Sequence, residues 1–273
     1  MLFCLSTSVY YYRPKEKPED EKIPSQLGLL AQRHPRWGFW MMFHYLRRNE
    51  YWWNHKRVYR VYTDIKLNLR RKYKQRLAKR PKESLVQPLF PNMTWSMDFM
   101  GDGLIDGDPF RSFNIIDDFN REALHITLDR SIPSKRVIRE LDKLVEWRGQ
   151  PEKIRVDNGP EFLAQIMKDW CKDRQINLTY IQKGKPSQNG YVERFNRTFR
   201  EEILDCYSFE TLEQARMLTQ AWMWIYNNDR PHSSLGYVPP SRFLEKRMGD
   251  QQYPTYQKDE DLSYDLLIQN VAS

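Results

Sequence analysis

Apolar residues recur along this chain with two periods, and the change of period divides it. From residue 24 to 65 the spacing is helical. Leu27, Leu29 and Leu30 open one helix, Pro35 and Gly38 interrupt the pattern, and Phe39, Met42, Phe43 and Leu46 mark a second. Asn54 stands where an N-cap belongs, ahead of Val58, Val61, Tyr62 and Ile65 on a third. Three short helices with tight joins predict a helix-turn-helix module.

From residue 91 the pattern alternates. In TWSMDFM, Trp95, Met97 and Phe99 fall on one side of a strand, and Ser96 and Asp98 on the other. A Gly- and Asp-rich turn over 101–109 leads to a second strand, FRSFNII. Asp117, Asp118 and Asn120 signal a turn before a third, EALHITL. Pro133 opens a helix through Trp147, and Gly149 ends it. The strand KIRV follows, then a helix with Pro160 in its first turn that runs to about Cys171. INLTYI is a fifth strand, KGKPSQNG a loop, and the next helix runs from about Gln188 to Asp205. Three meandering strands followed by strand–helix alternation predict a mixed α/β sheet. In residues 208–247 a helical stretch carries Leu212, Ala215, Leu218, Trp222 and Ile225, and YNNDRPHSSLGYVPPSRF reads as a loop. The expected organisation is a linker over 1–23, a helix-turn-helix domain with a basic arm over 24–82, an α/β core over 88–205, a helical extension over 206–247 and a flexible tail over 248–273.

Charge adds a partner to this picture. The 273 residues suit about two domains of ~100–200 residues each. The formal net charge is +8, and a basic balance favours anionic partners, nucleic acid first. Part of it is concentrated in KLNLRRKYKQRLAKRPK, residues 66–82, which includes Arg70, Arg71 and Lys72 and no acid. Such a block is often a solvated linker. Directly behind a helix-turn-helix it reads better as a phosphate-binding arm. Cys4, Cys171 and Cys206 form no C-x-x-C pair, which argues against a disulfide scaffold or a cysteine-rich zinc site and fits a reducing cytoplasm. No apolar run approaches the ~18–20 residues of a membrane span, and the first residues lack the basic flank of a signal peptide.

Three acids then suggest chemistry: Asp98 in TWSMDFM, Asp157 in IRVDNGPEF and Glu193 in KPSQNGYVERFNRTFR, the last two with thirty-five residues between them. Asp98 lies mid-strand, Asp157 ends the KIRV strand, and Glu193 lies in the first turns of a helix. Strand ends of α/β sheets face the crevice where ligands bind. Phosphodiester chemistry with two divalent ions ~3.5–4 Å apart needs hard oxygen ligands, and Mg²⁺ takes only a few carboxylates beside water and substrate phosphates. Asn196, Arg197 and Arg200 follow Glu193 at i+3, i+4 and i+7, so one helix offers a metal ligand and a basic stripe to one side. Singly, each acid has a plain reading. Asp157-Asn158-Gly159 fits a turn, and Glu193 with Arg197 fits an exposed ion pair. The trio in this order of elements is harder to explain that way. Asp102, Asp106 and Asp108 rank lower as solvated turn residues, Asp117 and Asp118 as a hairpin turn, and Glu161 as a first-turn helix acid.

At these residues the chain resembles a known family. TWSMDFM, IRVDNGPEF and GKPSQNGYVERFNRTFREEILD are similar to the three catalytic blocks of the integrase-core transposases of bacterial insertion sequences, in particular the OrfB product of the IS-three family. There the second and third acids share the same separation. YNNDRPHSSLGYVPPSRF resembles that family's C-terminal signature, and Asn54-His55-Lys56-Arg57-Val58-Tyr59-Arg60 its helix-turn-helix core. The resemblance spans most of residues 10–247. It implies an RNase-H-like fold with a mixed five-stranded sheet flanked by helices, preceded by an all-α helix-turn-helix domain. It implies a triad of Asp98, Asp157 and Glu193 that holds two Mg²⁺ (or Mn²⁺) ions, and a DNA contact at Arg200.

The expected activity is Mg-dependent strand cleavage and strand transfer at the terminal inverted repeats, with a freed 3′-OH attacking target DNA and no covalent protein–DNA intermediate. Residues 24–82, with Lys56, Arg57 and Arg60 and the arm residues Arg70, Arg71 and Lys72, are expected to recognise the repeats. Arg197 and Asn196 are further candidate contacts. Lys185 and Gln188 either touch DNA or belong to a plain flexible loop, and His232 is read as structural. Expected partners are DNA, the family's upstream OrfA protein and further copies on DNA, in a bacterial cytoplasm near the nucleoid, with no membrane. The chain begins just before YYYRP, which in the family lies inside OrfB, so it is expected to be the downstream product alone, in truncated form. A transcription regulator would be indifferent to EDTA, and a general RNase-H-like nuclease would cleave without joining. A retroviral-type integrase would need cysteines paired with His34, His44 or His55, and none lie nearby.

Overall fold

In the α/β part of the chain, strand alternation sends apolar side chains to both faces of one sheet, and helices cover each. The computed structural model describes residues 11, 21–69, 85–182 and 186–249. Two units separate, residues 1–70 and 71–273. Most of the expected linker over 1–23 and of the tail over 248–273 lies outside the described residues, as do residues 70–82 of the basic arm.

The first unit holds three helices: α1 (Lys22–Arg33), α2 (Phe39–Arg48) and α3 (His55–Asp64). α1 starts two residues earlier than its apolar pattern suggests and buries Ile23 as well as Leu27 and Leu30. Phe39, Met42, Phe43 and Leu46 from α2 and Val58, Val61 and Tyr62 from α3 are buried. The Asn54 side chain accepts the Lys56 N–H at 2.9 Å, which satisfies one of the open donors at the start of α3.

The second unit is built on β1 (Thr94–Gly103), β2 (Pro109–Asp117), β3 (Ala123–Asp129), β4 (Lys153–Val156) and β5 (Asn177–Tyr180), in the order β3-β2-β1-β4-β5. β1, β2 and β3 are antiparallel, and β4 and β5 run parallel to β1 and β4. One face carries Trp95, Met97, Phe113 and Ile115, buried against α4 (Ser134–Arg148), α5 (Pro160–Leu163) and α6 (Gln165–Asp173). Phe110, Ile116 and Leu128 share the second apolar cluster with α7 (Gly190–Phe199) and α8 (Leu212–Asn228). The last helix is α9 (Pro240–Met248).

Four local expectations change. β1 continues to Gly103 instead of turning at 101, because its ladder with β2 extends to Gly101↔Arg111 and Gly103↔Pro109. The helix expected from Pro160 to Cys171 breaks at Ala164, whose ψ is 139°. The buried residues explain the break: Phe162 and then Met167, Trp170 and Cys171 do not share one helical phase, and interruption lets both stripes reach the core. The helix expected over 188–205 divides into a 3₁₀ turn (Pro186–Asn189), α7 and a π-helical turn (Arg200–Leu204). The segment read as a loop, YNNDRPHSSLGYVPPSRF, starts at the end of α8, closes through a His232–Val238 bridge and finishes in α9. Its polar residues are ties. Asn227 accepts the Ala123 N–H at 2.9 Å and donates to the Ala123 carbonyl at 2.8 Å, and Ser241 donates to the Asn227 carbonyl. His232 is buried against the Tyr226 carbonyl, and burial holds its imidazole well below the usual range.

The turn at Asp117 and Asp118 forms, and both residues are fully buried. Asp117 accepts N–H bonds from Asn92 and Phe119, Arg155 bonds Asp118 at 2.7 Å, and Arg148 bonds Glu122 at 2.6 Å with both side chains inaccessible. Breaking such a buried pair from one side costs about 3–5 kcal/mol.

Candidate active site

The parallel register of β1 and β4 brings the first two acids together. Ser96 pairs with Arg155, so Asp98 and Asp157 lie two residues further along neighbouring strands that are about 4.8 Å apart. Asp98 projects from the face of β1 that meets α7. There Asn196 donates to its Oδ2 at 2.8 Å, and the Phe99 N–H bonds its Oδ1 at 2.9 Å. Glu193 lies one turn before Asn196, exposed at the start of α7. The three acids are therefore neighbours electrostatically. Burial pushes the Asp98 carboxyl up to about 6, and the charges of Asp157 and Glu193 push in the same direction against the two donors.

Asp157 is held by a turn. Its Oδ1 accepts the Gly159 N–H at 3.0 Å, and Asn158 donates to the Ile181 carbonyl at 2.9 Å, which ties the turn to the end of β5. A Cβ at Gly159 would lie 3.0 Å from that same Oδ1, so glycine leaves room for the carboxylate. Arg111 pairs with Glu161 and stacks over Phe99, 4.4 Å from the ring centroid, which fastens the following helix to the sheet.

Among the described residues, no three His, Cys, Asp or Glu side chains are gathered to hold one metal ion. The donor set fits a different arrangement. Mg²⁺ is held by one or two carboxylates, water and substrate phosphates rather than by an all-protein cage. The negative charges of Asp157 and Glu193 act on the half-buried Asp98 carboxyl, and a divalent cation relieves such a centre.

The remaining candidates divide. Arg197 is exposed on α7. Asn196, expected on the DNA-facing stripe, is buried at 8 % exposure and bonded within the protein: its Oδ1 accepts from Asn114 at 2.7 Å while its amide donates to Asp98. Both ends of the amide are thus engaged inside the protein, which does not fit the expected place on the DNA-facing stripe. Arg200 donates to Asp102 and to the Gly101 carbonyl. Gln188 accepts the Gln182 N–H at 2.8 Å through its side chain. On α3, Lys56 and Arg60 are exposed and Arg57 is half-buried. Arg70, Arg71, Lys72 and Lys185 lie outside the described residues. Sequence reasoning missed Asn114 and Asp102. The signal for Asn114 was present: a lone amide in the apolar run SFNII, opposite Asp98 in the ladder.

Comparison with known proteins bears on the family and the fold. Residues 89–186 and 174–240 match two models described as integrase core domain. The chain is 38% identical over 253 residues to an uncharacterized 31.7 kDa protein of insertion element IS407 from Burkholderia multivorans, covering 93% of this chain and 91% of that one. It is 38% identical over 242 residues to an uncharacterized 39.2 kDa protein of insertion element IS476 from Xanthomonas euvesicatoria, covering 88% of this chain and 69% of that one. Among solved structures it is similar to a chain of the simian T-cell lymphotropic virus intasome in complex with a PP2A regulatory subunit, at TM-score 0.50 and 16% identity, covering 79% of this chain and 74% of that one. At that identity the likeness speaks for the RNase-H-like fold alone.

Proposed function

The chain belongs to the integrase-core transposases carried by bacterial insertion elements, and from that premise we propose that it cleaves and joins DNA strands at the terminal inverted repeats of its element in a reaction that requires divalent metal. The observation that carries the reading is the placement of Asp98 on β1 and of Asp157 directly after the neighbouring parallel strand β4, with Glu193 on the helix bonded to Asp98.

Each residue has a defined task. The two oxygens of Asp98 each take one protein donor, which fixes the carboxylate plane while lone pairs remain for a cation. Asp157 uses Oδ1 on the Gly159 N–H and keeps Oδ2 for the centre. Glu193 completes the set from the solvent-facing side of α7. Two Mg²⁺ (or Mn²⁺) ions, when bound, supply activation of the attacking oxygen and neutralisation of the leaving oxygen. Arg197 and Arg200 face the phosphates that pass the centre, and Lys56, Arg57 and Arg60 on α3 serve recognition of the repeats, with Arg70, Arg71, Lys72 and Lys185 as further contacts. The acting form is an oligomer on DNA, aided by the upstream OrfA partner. No helix among the described residues is long and apolar enough to cross a membrane, and the reaction belongs in the cytoplasm at the nucleoid.

A strand-transfer assay with duplexes that end in the element's terminal repeats tests this. Joined product is expected with Mg²⁺ and none with EDTA. Joining that persists in EDTA would refute the metal requirement.

A further inference from the structure

Arg200, the proposed phosphate contact, is already occupied in the protein alone. Its Nη1 donates to Asp102 Oδ2 at 2.9 Å and its Nη2 to the Gly101 carbonyl at 2.8 Å, while Asp205 Oδ1 lies 3.8 Å from Nη1. The Nη1–Nη2 edge is the planar fork that matches a phosphate bidentately. Here the end of β1 fills it. Two carboxylates around one guanidinium leave the locality net negative, so an approaching phosphate meets repulsion until Asp102 gives way.

The exchange is feasible because the pair is weak and its support is firm. The Arg200 and Asp102 side chains keep 39% and 25% exposure, and ion pairs that share water are loosely held. The π-helical turn beneath Arg200 is anchored independently. Glu202 accepts from Trp222 at 3.0 Å and from Arg230 at 2.9 Å, and Ile203 and Leu204 are buried. The side chain can therefore change partner without moving the backbone. The geometry also sets this contact apart from its neighbour. Asp98 and Asp102 stand four residues apart on one face of β1, Asn196 and Arg200 four apart on one face of the helix, and they meet as two rungs. The Asn196 rung is shielded, and the Arg200 rung is open to water.

We infer that Asp102 is a phosphate surrogate: it holds Arg200 in the DNA-free protein and yields it to a backbone phosphate, and so sets DNA affinity through Arg200. This rests on the reading of Arg200 as a DNA contact.

The test is fluorescence anisotropy of the full chain with a short fluorescein-labelled duplex of arbitrary sequence. Asp102→Asn keeps the side-chain shape and removes the charge. It is expected to bind about three- to five-fold more tightly than the unaltered chain, the worth of a half-exposed ion pair. Arg200→Ala is expected to bind more weakly, and the double variant to match Arg200→Ala, because the gain needs the guanidinium. Equal or weaker binding by Asp102→Asn, with Arg200→Ala still weakened, overturns the surrogate and leaves the contact standing. A gain that persists in the double variant also overturns it, since bulk charge then suffices. Arg200→Ala binding like the unaltered chain removes the contact itself, and the inference with it. Asp102→Ser, checked by thermal melting, repeats the measurement where the asparagine variant fails to fold.

Discussion

Replacing Asn196 with alanine separates two roles for the helix that carries Glu193. The substitution leaves Asp98 Oδ2 without its 2.8 Å donor and strands the Nδ2 of Asn114, a residue with 0% exposure. A hydrogen bond to a charged group contributes ~1.5–3 kcal/mol, and a stranded buried donor costs ~1–3 kcal/mol. Asp98 is half-buried, so water replaces part of its loss and the total is about 2–4 kcal/mol. At ~2–4 °C per kcal/mol for a unit of this size, the melting temperature falls by roughly 4–15 °C. Strand transfer should fall about 10–100-fold, the usual cost of losing a group that orients a metal-binding carboxylate. Affinity for duplex DNA should stay the same. The assays are differential scanning fluorimetry, anisotropy and strand transfer on one preparation. An unchanged melting temperature with weakened DNA binding would refute the reasoning and return Asn196 to the DNA-facing stripe.

Two further outcomes follow from the same contacts. Gly159→Ala meets no backbone strain, but its Cβ would press on Asp157 Oδ1 at 3.0 Å. Strand transfer should drop while the melting temperature stays within about 1 °C, and an unaffected rate would show that the carboxylate has slack. Asp117 governs a pH effect. Burial pushes its carboxyl up to about 7, above its value in the unfolded chain, so the folded state binds the proton more strongly. Its contribution is fully present below about pH 4 and is lost as pH rises to about 7, at a slope of about 1.4 kcal/mol per unit. Urea unfolding between about pH 5 and pH 7 should show that slope lessened in Asp117→Asn, and an unchanged slope would contradict the assignment.

The sequence made the face of each side chain legible but not its depth. Alternation in TWSMDFM placed Asp98 opposite Trp95 and Met97, and Asp157 was legible as the end of KIRV, but that these two strands are neighbours came only from the sheet order. Period alone does not say that a turn is buried. Asp117 and Asp118 carry ordinary hairpin residues, and only the arrival of Asn92, Arg148 and Arg155 from elsewhere in the chain encloses them. Gly101 and Gly103 looked like the start of a turn, whereas cross-strand pairing with Arg111 and Pro109 carried β1 past them and delivered Asp102 to Arg200. Helical spacing correctly put Asn196 and Arg200 on the side of Glu193. That side meets β1 as well as solvent, and a single helix pattern cannot divide one from the other. The Asn, His and Ser residues of YNNDRPHSSLGYVPPSRF gave the composition of a loop because their side chains bond backbone atoms that only the fold brings near: Asn227 bonds Ala123 of β3, and His232 and Ser241 bond the carbonyls of Tyr226 and Asn227 at the end of α8.

The central claim is that Asp98, Asp157 and Glu193 form one metal-dependent strand-transfer centre. The most direct measurement is joining of terminal-repeat DNA by Asp157→Asn in Mg²⁺, with DNA affinity measured in parallel. Asparagine preserves the acceptor for the Gly159 N–H and removes the charge. The account predicts that joining is abolished and binding is retained. Undiminished joining by that variant would contradict it.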